Sequence, residues 1–210
     1  TNADHAREKS RYYAHRIDLF DKHYARELTR IEEAKARGEG IKVTLPDGAQ
    51  KDGTRFATTP FDIALGIHKK LAQSALVAKV DGEFWDMRRP LEGDCALALF
   101  TFDDEEGKEC YWHSSAHVLG EALELEYGAD LTIGPAIEEG FYYDCYLGER
   151  TLTPEDTEII KGRMEKIIKE KQEFQRIVVS RAEALEMFEE NKFKIELISN
   201  LPEDATISCY

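Results

Sequence analysis

A series of short strand-like segments around one capped helix, within residues 41–103, constrains the fold of this chain more than any other feature. Residues 41–45 alternate apolar and polar side chains, the pattern of a strand with one buried face. The dipeptide Asp47-Gly48 follows and favours a hairpin turn. A second short strand is predicted from Thr54 to Ala57. We therefore expect a sheet that buries one side.

The helix that follows these strands has a strong start signal. Thr59 can cap it, Pro60 suits its first position, and Asp62 can complete a capping box. A hairpin across residues 77–85 and a last strand over 96–102 complete the pattern. The order strand, strand, helix, strand, strand, strand within about sixty residues predicts a ubiquitin-like β-grasp fold. The apolar side of the helix comprises Ile63, Ile67 and Leu71.

Residues 1–40 have a different pattern. Apolar residues recur at steps of three and four, charged residues fill the other faces, and Gly38 and Gly40 end the pattern. We predict one long charged helix, which cannot bury much surface alone and serves as an appendage, a docking helix or both. Its apolar stripe comprises Ile17, Phe20, Tyr24, Leu28 and Ile31.

Residues 104–210 predict a second α+β unit, after an acidic linker at 103–107. One helix is predicted from Ser114 to Tyr127, and a second, capped by Thr153, directs Ile160, Met164, Ile167 and Ile168 inward. Because the last predicted strand reaches the final residue, we expect this unit to be incomplete. The remaining predicted elements are a strand over 176–179, a short helix from Ser180 to Phe188, and strands over 193–198 and 206–210. The whole chain is thus predicted as α+β in three parts, 1–40, 41–103 and 104–210.

The charge balance and the cysteines narrow the function. The formal net charge of −14 argues against a general nucleic-acid-binding protein, since phosphate contacts need Lys and Arg. It leaves open a site that reads only the end of an RNA. No apolar run is long enough to cross a bilayer, so we expect no membrane partner. The four cysteines are scattered without a CxxC pair, which disfavours a zinc knuckle and fits a reducing, cytosolic setting.

The segment from His113 to His117, with the sequence HSSAH, is the feature best suited to chemistry. Four helical residues turn about 400°, so both imidazoles lie on one face, one turn apart. That spacing suits two ligands of one metal or two groups on one bound substrate. The alternative is a pair of polar residues at a helix start. Because no third ligand follows at a usable spacing, and no Glu follows His113 as in HExxH, we predict no metal site.

Tyr143 and Lys194 are further candidates. Tyr142 and Tyr143 alternate across a predicted strand, so one would face the core and the other a cleft, and Tyr142 is the better packing residue. Lys194 lies between apolar Phe193 and Ile195 in another predicted strand. There it would face solvent or, beside a pocket, hold a carboxylate or phosphate or poise a water. We expect buried or incidental thiols at Cys95, Cys110 and Cys145, and surface positions for His5, His15, His23 and His68.

Several strings together resemble the threonyl-tRNA synthetase family. Part of the resemblance is to the TGS domain of this family, which also occurs in GTPases and stringent-response enzymes. HSSAH followed by GFYYD, at residues 140–144, is therefore the more specific part. The helix of residues 1–40 resembles the extension of eukaryotic cytosolic members. The matching strings are residues 41–48 and 58–60 for the TGS domain, and residues 111–120, 133–135 and 140–144 for the editing domain.

The resemblance implies an editing site. The family charges tRNA(Thr) with threonine using ATP, and its editing domain hydrolyses mischarged seryl-tRNA(Thr). By matching motif, His113 and His117 would flank the aminoacyl ester at the tRNA 3′ end, and Tyr143 and Lys194 match further pocket positions. An oriented water would attack the ester carbonyl, with His and Lys donors supporting the oxyanion, and the identity of the base stays open. A pocket that fits serine and crowds the threonine methyl group would reject the larger ester.

Two parts of the family pattern are absent from this sequence. The family completes the pocket with a Cys-x-x-x-His segment and an acidic residue, both downstream of Tyr210. The synthetic core, with its ATP and zinc sites, is also absent. The resemblance therefore implies an editing domain cut short at its C-terminal end, no cofactor in this chain, and weak or no editing activity alone. It also implies a cytoplasmic location, and a homodimer only through domains that this chain lacks.

Two other functions stay open. A non-catalytic module for protein or RNA interaction, built on the β-grasp segment and the first helix, would need no catalytic residue, so activity that depends on His117 would exclude it. A freestanding zinc hydrolase with trans-editing activity has a similar HxxxH and would bind stoichiometric zinc. The TGS segment in front of HSSAH is instead typical of the synthetase.

Overall fold

The computed structural model describes residues 2–210, with side chains from residue 12 onward. No helix within this range is long and apolar enough to cross a membrane. In chain order the elements are α1 (Asn2–Lys35), β1 (Gly40–Thr44), β2 (Gln50–Thr54), α2 (Pro60–Ile67), α3 (Lys69–Ser74), β3 (Ala75–Val80), β4 (Glu83–Trp85), β5 (Cys95–Thr101), α4 (Glu105–Tyr127), β6 (Asp130–Leu131), β7 (Ala136–Ile137), β8 (Gly140–Phe141), β9 (Cys145–Tyr146), α5 (Pro154–Glu170), β10 (Ile177–Val179), α6 (Arg181–Met187), α7 (Lys192–Ser199) and β11 (Ile207–Cys209).

The described residues form two compact units. The sheet unit is Leu28–Trp112, and the terminal unit combines the described residues up to Glu27 with His113–Tyr210. The boundary between the two units falls inside α1 and α4.

The sheet unit contains one five-stranded sheet in the order β2-β1-β5-β3-β4. β1 pairs antiparallel with β2 and parallel with β5, and β3 pairs antiparallel with both β4 and β5. The core forms where Ile41 and Val43, alternate residues of β1, meet Ile63 and Ala64 of α2. This mixed sheet around a helix confirms the predicted β-grasp arrangement and the α+β class.

The start of α2 is capped as predicted. The Oγ1 of Thr59 accepts a hydrogen bond from the N–H of Asp62 at 3.2 Å, and the Oδ2 of Asp62 accepts one from the N–H of Thr59 at 2.9 Å. The position predicted for the second strand is wrong, since β2 ends at Thr54. Phe56 adopts a left-handed conformation with a φ of 58°, which turns the chain out of the sheet.

Two apolar clusters stabilise the terminal unit. In the first, Leu123 and Tyr127 of α4 pack with Ile160 and Ile167 of α5. The second lies between the antiparallel pair β10–β11 and the helices α6 and α7. Side chains of α1, including Phe20, pack against this second cluster. The first part of α1 therefore packs within the terminal unit.

The buried face of α1 differs from the predicted stripe. Ile17 is 57% exposed and Leu28 is 44% exposed. His23 is 6% exposed instead, with its Nδ1 3.6 Å from Oε1 of Glu183, so a surface position for His23 is wrong. The partner carboxylate lies far along the chain, and the apolar period of the helix carries no sign of it. His15 and His68 are exposed as predicted, and the side chain of His5 lies outside those described.

The acidic segment predicted as a linker is a helix start. α4 begins at Glu105, and the side chain of Asp104 accepts a hydrogen bond from the N–H of Thr101 at 2.7 Å. Acidic residues in the first turn stabilise a helix N-terminus, so the acidic side chains that suggested a linker are equally suited to the start of α4. His113 therefore lies about two turns inside α4. The helix start predicted at Ser114 is therefore wrong, and the two histidines do not lie at a helix start.

α5 begins with a capping box formed by Thr153 and Asp156, as its sequence predicts. Ile160 and Ile167 are buried in the first cluster. Ile168 is 61% exposed, so its predicted inward direction is wrong. The apolar stripe of this helix is one residue narrower than the sequence pattern.

Candidate functional site

The two histidines of the HSSAH segment are stacked on one face of α4. The ring centroids of His113 and His117 lie 5.2 Å apart, and the ring planes differ by 14°. His113 is exposed and His117 is partly buried. The one-turn spacing read from the sequence thus gives two parallel imidazoles, one of which is accessible to a ligand in solvent.

The environment of His117 holds its imidazole neutral. The ring of Phe174 meets it edge-on, with centroids 5.8 Å apart and an interplanar angle of 85°. Burial lowers the pKa of His117 to about 4, and the charges of His113 and Lys194 act in the same direction. A neutral imidazole at neutral pH can accept a hydrogen bond from a water.

Lys194 is directed into the unit by a helix, not by a strand. It lies on α7, so the strand predicted over 193–198 is wrong. The Oδ1 of Asn191 caps this helix by accepting hydrogen bonds from the N–H groups of Phe193 and Lys194 at 3.0 and 3.1 Å. The three alternating residues around Lys194 resemble a strand, but the cap at Asn191 favours a helix.

The ammonium of Lys194 is held in place by the main chain. Its Nζ donates a hydrogen bond to the carbonyl oxygen of Thr132 at 2.8 Å. Burial lowers the pKa of Lys194, Glu124 opposes this shift, and Arg16 adds to it. The group is therefore not the solvent-facing lysine that an isolated strand position would give.

Tyr143 is the packed member of the tyrosine pair. β8 ends at Phe141, so the two tyrosines follow the strand and do not alternate across it. Tyr142 is 43% exposed, whereas Tyr143 packs against the cluster between α4 and α5. The expectation that Tyr142 is the packing residue is wrong. Burial raises the pKa of the Tyr143 phenol, which stays protonated at neutral pH.

Two glycines make room for the Tyr143 ring. A Cβ at Gly134 would lie 2.6 Å from its Cδ2, and a Cβ at Gly120 would lie 2.8 Å from its Cε2. Gly120 follows His117 by three residues, so it belongs to the same side of α4. Tyr143 therefore lies against the helix about one turn beyond His117.

The structure places all four predicted site residues in the terminal unit. His113 and His117 are in ring contact, Lys194 acts electrostatically on His117, and Tyr143 packs beside their helix. Residues that the sequence reasoning did not select surround them, namely Arg16, Glu124, Phe174, Asn191 and Cys209. Glu124 could have been found, because seven residues after His117 it returns to the same helix face.

A metal centre is not formed by the described side chains. In residues for which the structure describes side chains, no group of three His, Cys, Asp or Glu lies close enough together to hold an ion. The four cysteines are free thiols. The thiol of Cys209 lies near Lys194, and its burial raises its pKa. The four predicted site residues supply imidazole, ammonium and phenol groups.

Comparison with known proteins relates this chain to one family. Residues 41–101 match the family model of the TGS domain. The chain is 51% identical over 93% of its length to threonine–tRNA ligase, mitochondrial 1 of Arabidopsis thaliana, and covers 28% of that protein. It is 48% identical over 95% of its length to probable threonine–tRNA ligase 1, cytoplasmic, of Dictyostelium discoideum, again covering 28% of the relative.

A human relative shows the same relation. The chain is 47% identical over 85% of its length to threonine–tRNA ligase 1, cytoplasmic, of Homo sapiens, and covers 25% of it. The chain thus spans little more than a quarter of the length of these relatives, and the matched part is their N-terminal region. With residues 41–101 matching the TGS domain and 47–51% identity over 85–95% of its length, the chain is similar to a part of the threonine–tRNA ligases.

Proposed function

We propose that the α4 face is a hydrolytic site that removes serine from mischarged seryl-tRNA(Thr), within a protein that attaches threonine to tRNA(Thr) using ATP. The observation that carries the proposal is the parallel pair of His113 and His117 with the Lys194 ammonium acting on His117. The ligase activity is also proposed, because this chain covers only 28% and 25% of the relatives from Arabidopsis thaliana and Homo sapiens that are named threonine–tRNA ligases.

Ester hydrolysis makes two demands that these groups can meet. A water must be held against the carbonyl carbon, and the oxyanion that develops must be stabilised. Neutral His117 can accept the hydrogen bond of that water, and His113 can bind the ester end on the exposed side. The water loses one proton, the ribose oxygen gains one as the acyl C–O bond breaks, and the products are serine and a free tRNA hydroxyl.

Lys194 supplies the positive charge in this proposal. Its Nζ is fixed by the carbonyl of Thr132, so its charge needs little reorganisation when the oxyanion forms. Tyr143 forms part of the pocket wall, because its ring is confined between Gly120 and Gly134. A rigid wall is what selection between serine and threonine needs, since the two side chains differ by one methyl group.

The proposed partner is the 3′ end of tRNA(Thr). A net charge of −14 disfavours long phosphate-tracking surfaces, whereas an aminoacyl end needs only a small pocket. The TGS domain of synthetases is consistent with tRNA binding. We also propose a cytoplasmic location; two of the relatives above are named cytoplasmic and one is named mitochondrial.

Deacylation of two esters tests the proposal. Seryl-tRNA(Thr) and threonyl-tRNA(Thr) are incubated with this chain and with the chain continued through the Cys-x-x-x-His segment of the family. His117→Ala is the test variant. His15→Ala is the matched control, because it removes an exposed imidazole from the same unit. We expect the extended chain to cleave the seryl ester selectively, His117→Ala to reduce the rate by about a hundredfold or more, and His15→Ala to leave it unchanged.

The other outcomes identify the alternatives. Equal rates for both esters, or an unchanged rate in His117→Ala, would contradict the editing proposal and favour a non-catalytic interaction module. Hydrolysis that is lost with a chelator and restored by stoichiometric zinc would favour a zinc hydrolase.

A further inference from the structure

The N-terminal helix contributes one charged side chain to the candidate site. The guanidinium of Arg16 donates two hydrogen bonds to Glu124, from Nη1 to Oε1 at 3.1 Å and from Nη2 to Oε2 at 2.7 Å. The side chains of Arg16 and Glu124 are only 27% and 14% exposed. Such a two-pronged pair fixes the orientation of both partners as well as neutralising them. The hydroxyl of Tyr13 donates to the main-chain carbonyl of Glu124 at 3.3 Å, a second tie from α1 to the same residue.

Glu124 belongs to the α4 face that carries the histidines. Seven residues separate it from His117, which is about two helical turns. Its carboxylate raises the pKa of both Lys194 and Tyr143, and the Arg16 guanidinium lowers the pKa of both. An unpaired carboxylate at this place would attract the Lys194 ammonium.

We propose that Arg16 is a positioning residue of the candidate hydrolytic site. By binding Glu124 it prevents this carboxylate from drawing Lys194 away from the carbonyl of Thr132 and from His117. The inference rests on the proposed function, since it concerns how Lys194 stays available to the ester. It makes the N-terminal helix part of the site and not only a docked extension.

The titratable and charged groups around Lys194 make the inference testable. They are His117 and Glu124 from α4, Arg16 from α1 and Cys209 from β11. Removing Arg16 alone leaves Glu124 unopposed and should raise the pKa of Lys194. Removing Glu124 alone should lower it, and removing both should return it close to its starting value.

The experiment measures the titration of Lys194 in the full-length protein. Competitive acetylation across pH, read by peptide mass spectrometry, gives the pKa of Lys194 in Arg16→Gln, Glu124→Gln and the double variant. Arg26→Gln is the matched control, since it removes another ion pair of the same helix, that with Glu183. We expect opposite shifts in the two single variants, near-cancellation in the double variant and no shift in the control.

Deacylation of seryl-tRNA(Thr) by the same proteins completes the test. We expect Arg16→Gln to lower kcat by about tenfold to a hundredfold with little change in KM, and the added Glu124→Gln to restore most of the loss. If the two single variants shift the pKa of Lys194 in the same direction, or do not shift it, the role of Arg16 is overturned even if the native protein deacylates. If the two single variants shift the pKa of Lys194 in opposite directions but the native protein does not deacylate, the role of Arg16 is supported and the proposed hydrolysis is rejected.

Discussion

The side-chain N–H of Asn191 donates a buried hydrogen bond of 2.8 Å to the carbonyl oxygen of Leu131. The same side chain caps α7 through its Oδ1. One residue therefore joins the start of α7 to the end of β6, and the next carbonyl along the chain, that of Thr132, receives Nζ of Lys194. The position of Lys194 follows from this junction.

Asn191→Ala should destabilise the terminal unit. It removes the cap and leaves the carbonyl of Leu131 without its side-chain donor, so we expect a loss of about 1–3 kcal/mol in the free energy of unfolding. Urea unfolding measures the change. Asn191→Ser is the control that keeps an oxygen for the cap and loses the amide N–H donor to Leu131. Unfolding of Asn191→Ala at the same urea concentration as the native chain would contradict the role given to this junction.

The imidazole of His117 should titrate far below an ordinary histidine. Burial lowers its pKa to about 4, so it stays neutral as pH falls from 7 to 5 and gains its proton only near pH 4. Any deacylation that requires neutral His117 should therefore hold constant over that range and fall below it. Proton NMR of the ring gives the midpoint directly. A midpoint near the ordinary value of about 6.5 would contradict the burial described for this ring.

Gly134→Ala should disturb Tyr143. The new Cβ would lie 2.6 Å from the ring, so we expect the ring to move and the unit to lose about 1–3 kcal/mol of stability. Gly162→Ala, within α5, meets nothing within 4 Å and should instead stabilise the helix by about 0.5–1 kcal/mol. Thermal unfolding and the Tyr143 ring signals check both variants. If the two substitutions change the thermal stability and the Tyr143 ring signals equally, the ring of Tyr143 is not confined by Gly134.

The terminal unit should lose stability in acid. The N–H of Thr153, followed by Arg150, lowers the pKa of Asp156 to about 2, and Arg26, followed by the N–H of Ser180, lowers that of Glu183 to about 2. Because both folded-state values are depressed, their stabilising effect is full above the unfolded values near 4 and is lost as pH falls towards 2. Urea unfolding between pH 6 and 2 measures this loss, and Asp156→Asn should make it smaller. An unchanged pH dependence in Asp156→Asn would contradict this account.

Local signals predicted much of the fold. The capping boxes at Thr59 and Thr153 form as read, because a cap needs only residues three positions apart. The β-grasp order and the two strands β10 and β11 also follow from short-range patterns, whereas the antiparallel pairing of β10 with β11 was not predicted. The strand predicted around Lys194 is wrong for an equally local reason. Three alternating residues mimic a strand there, and the helix cap at Asn191 was not recognised.

The charged part of the site needed the tertiary structure. The spacing of His113 and His117 predicted a shared helix face, and the structure stacks them there. Arg16 and Glu124, by contrast, are brought together only when α1 packs on the terminal unit. Neither a helical period nor a short motif encodes such a pair, and His23 with Glu183 shows the same limit.

Binding of a non-hydrolysable seryl-adenosine amide, which mimics the charged tRNA end, is the direct test of a serine-selective site on the α4 face. NMR shifts of the His113 and His117 rings and acetylation protection of Lys194 report occupancy of the α4 face. We expect shifts of both rings and protection of Lys194 with the seryl analogue, and clearly weaker effects with the threonyl analogue. Equal responses to the two analogues, or a response that leaves His117 and Lys194 unchanged, would contradict this expectation.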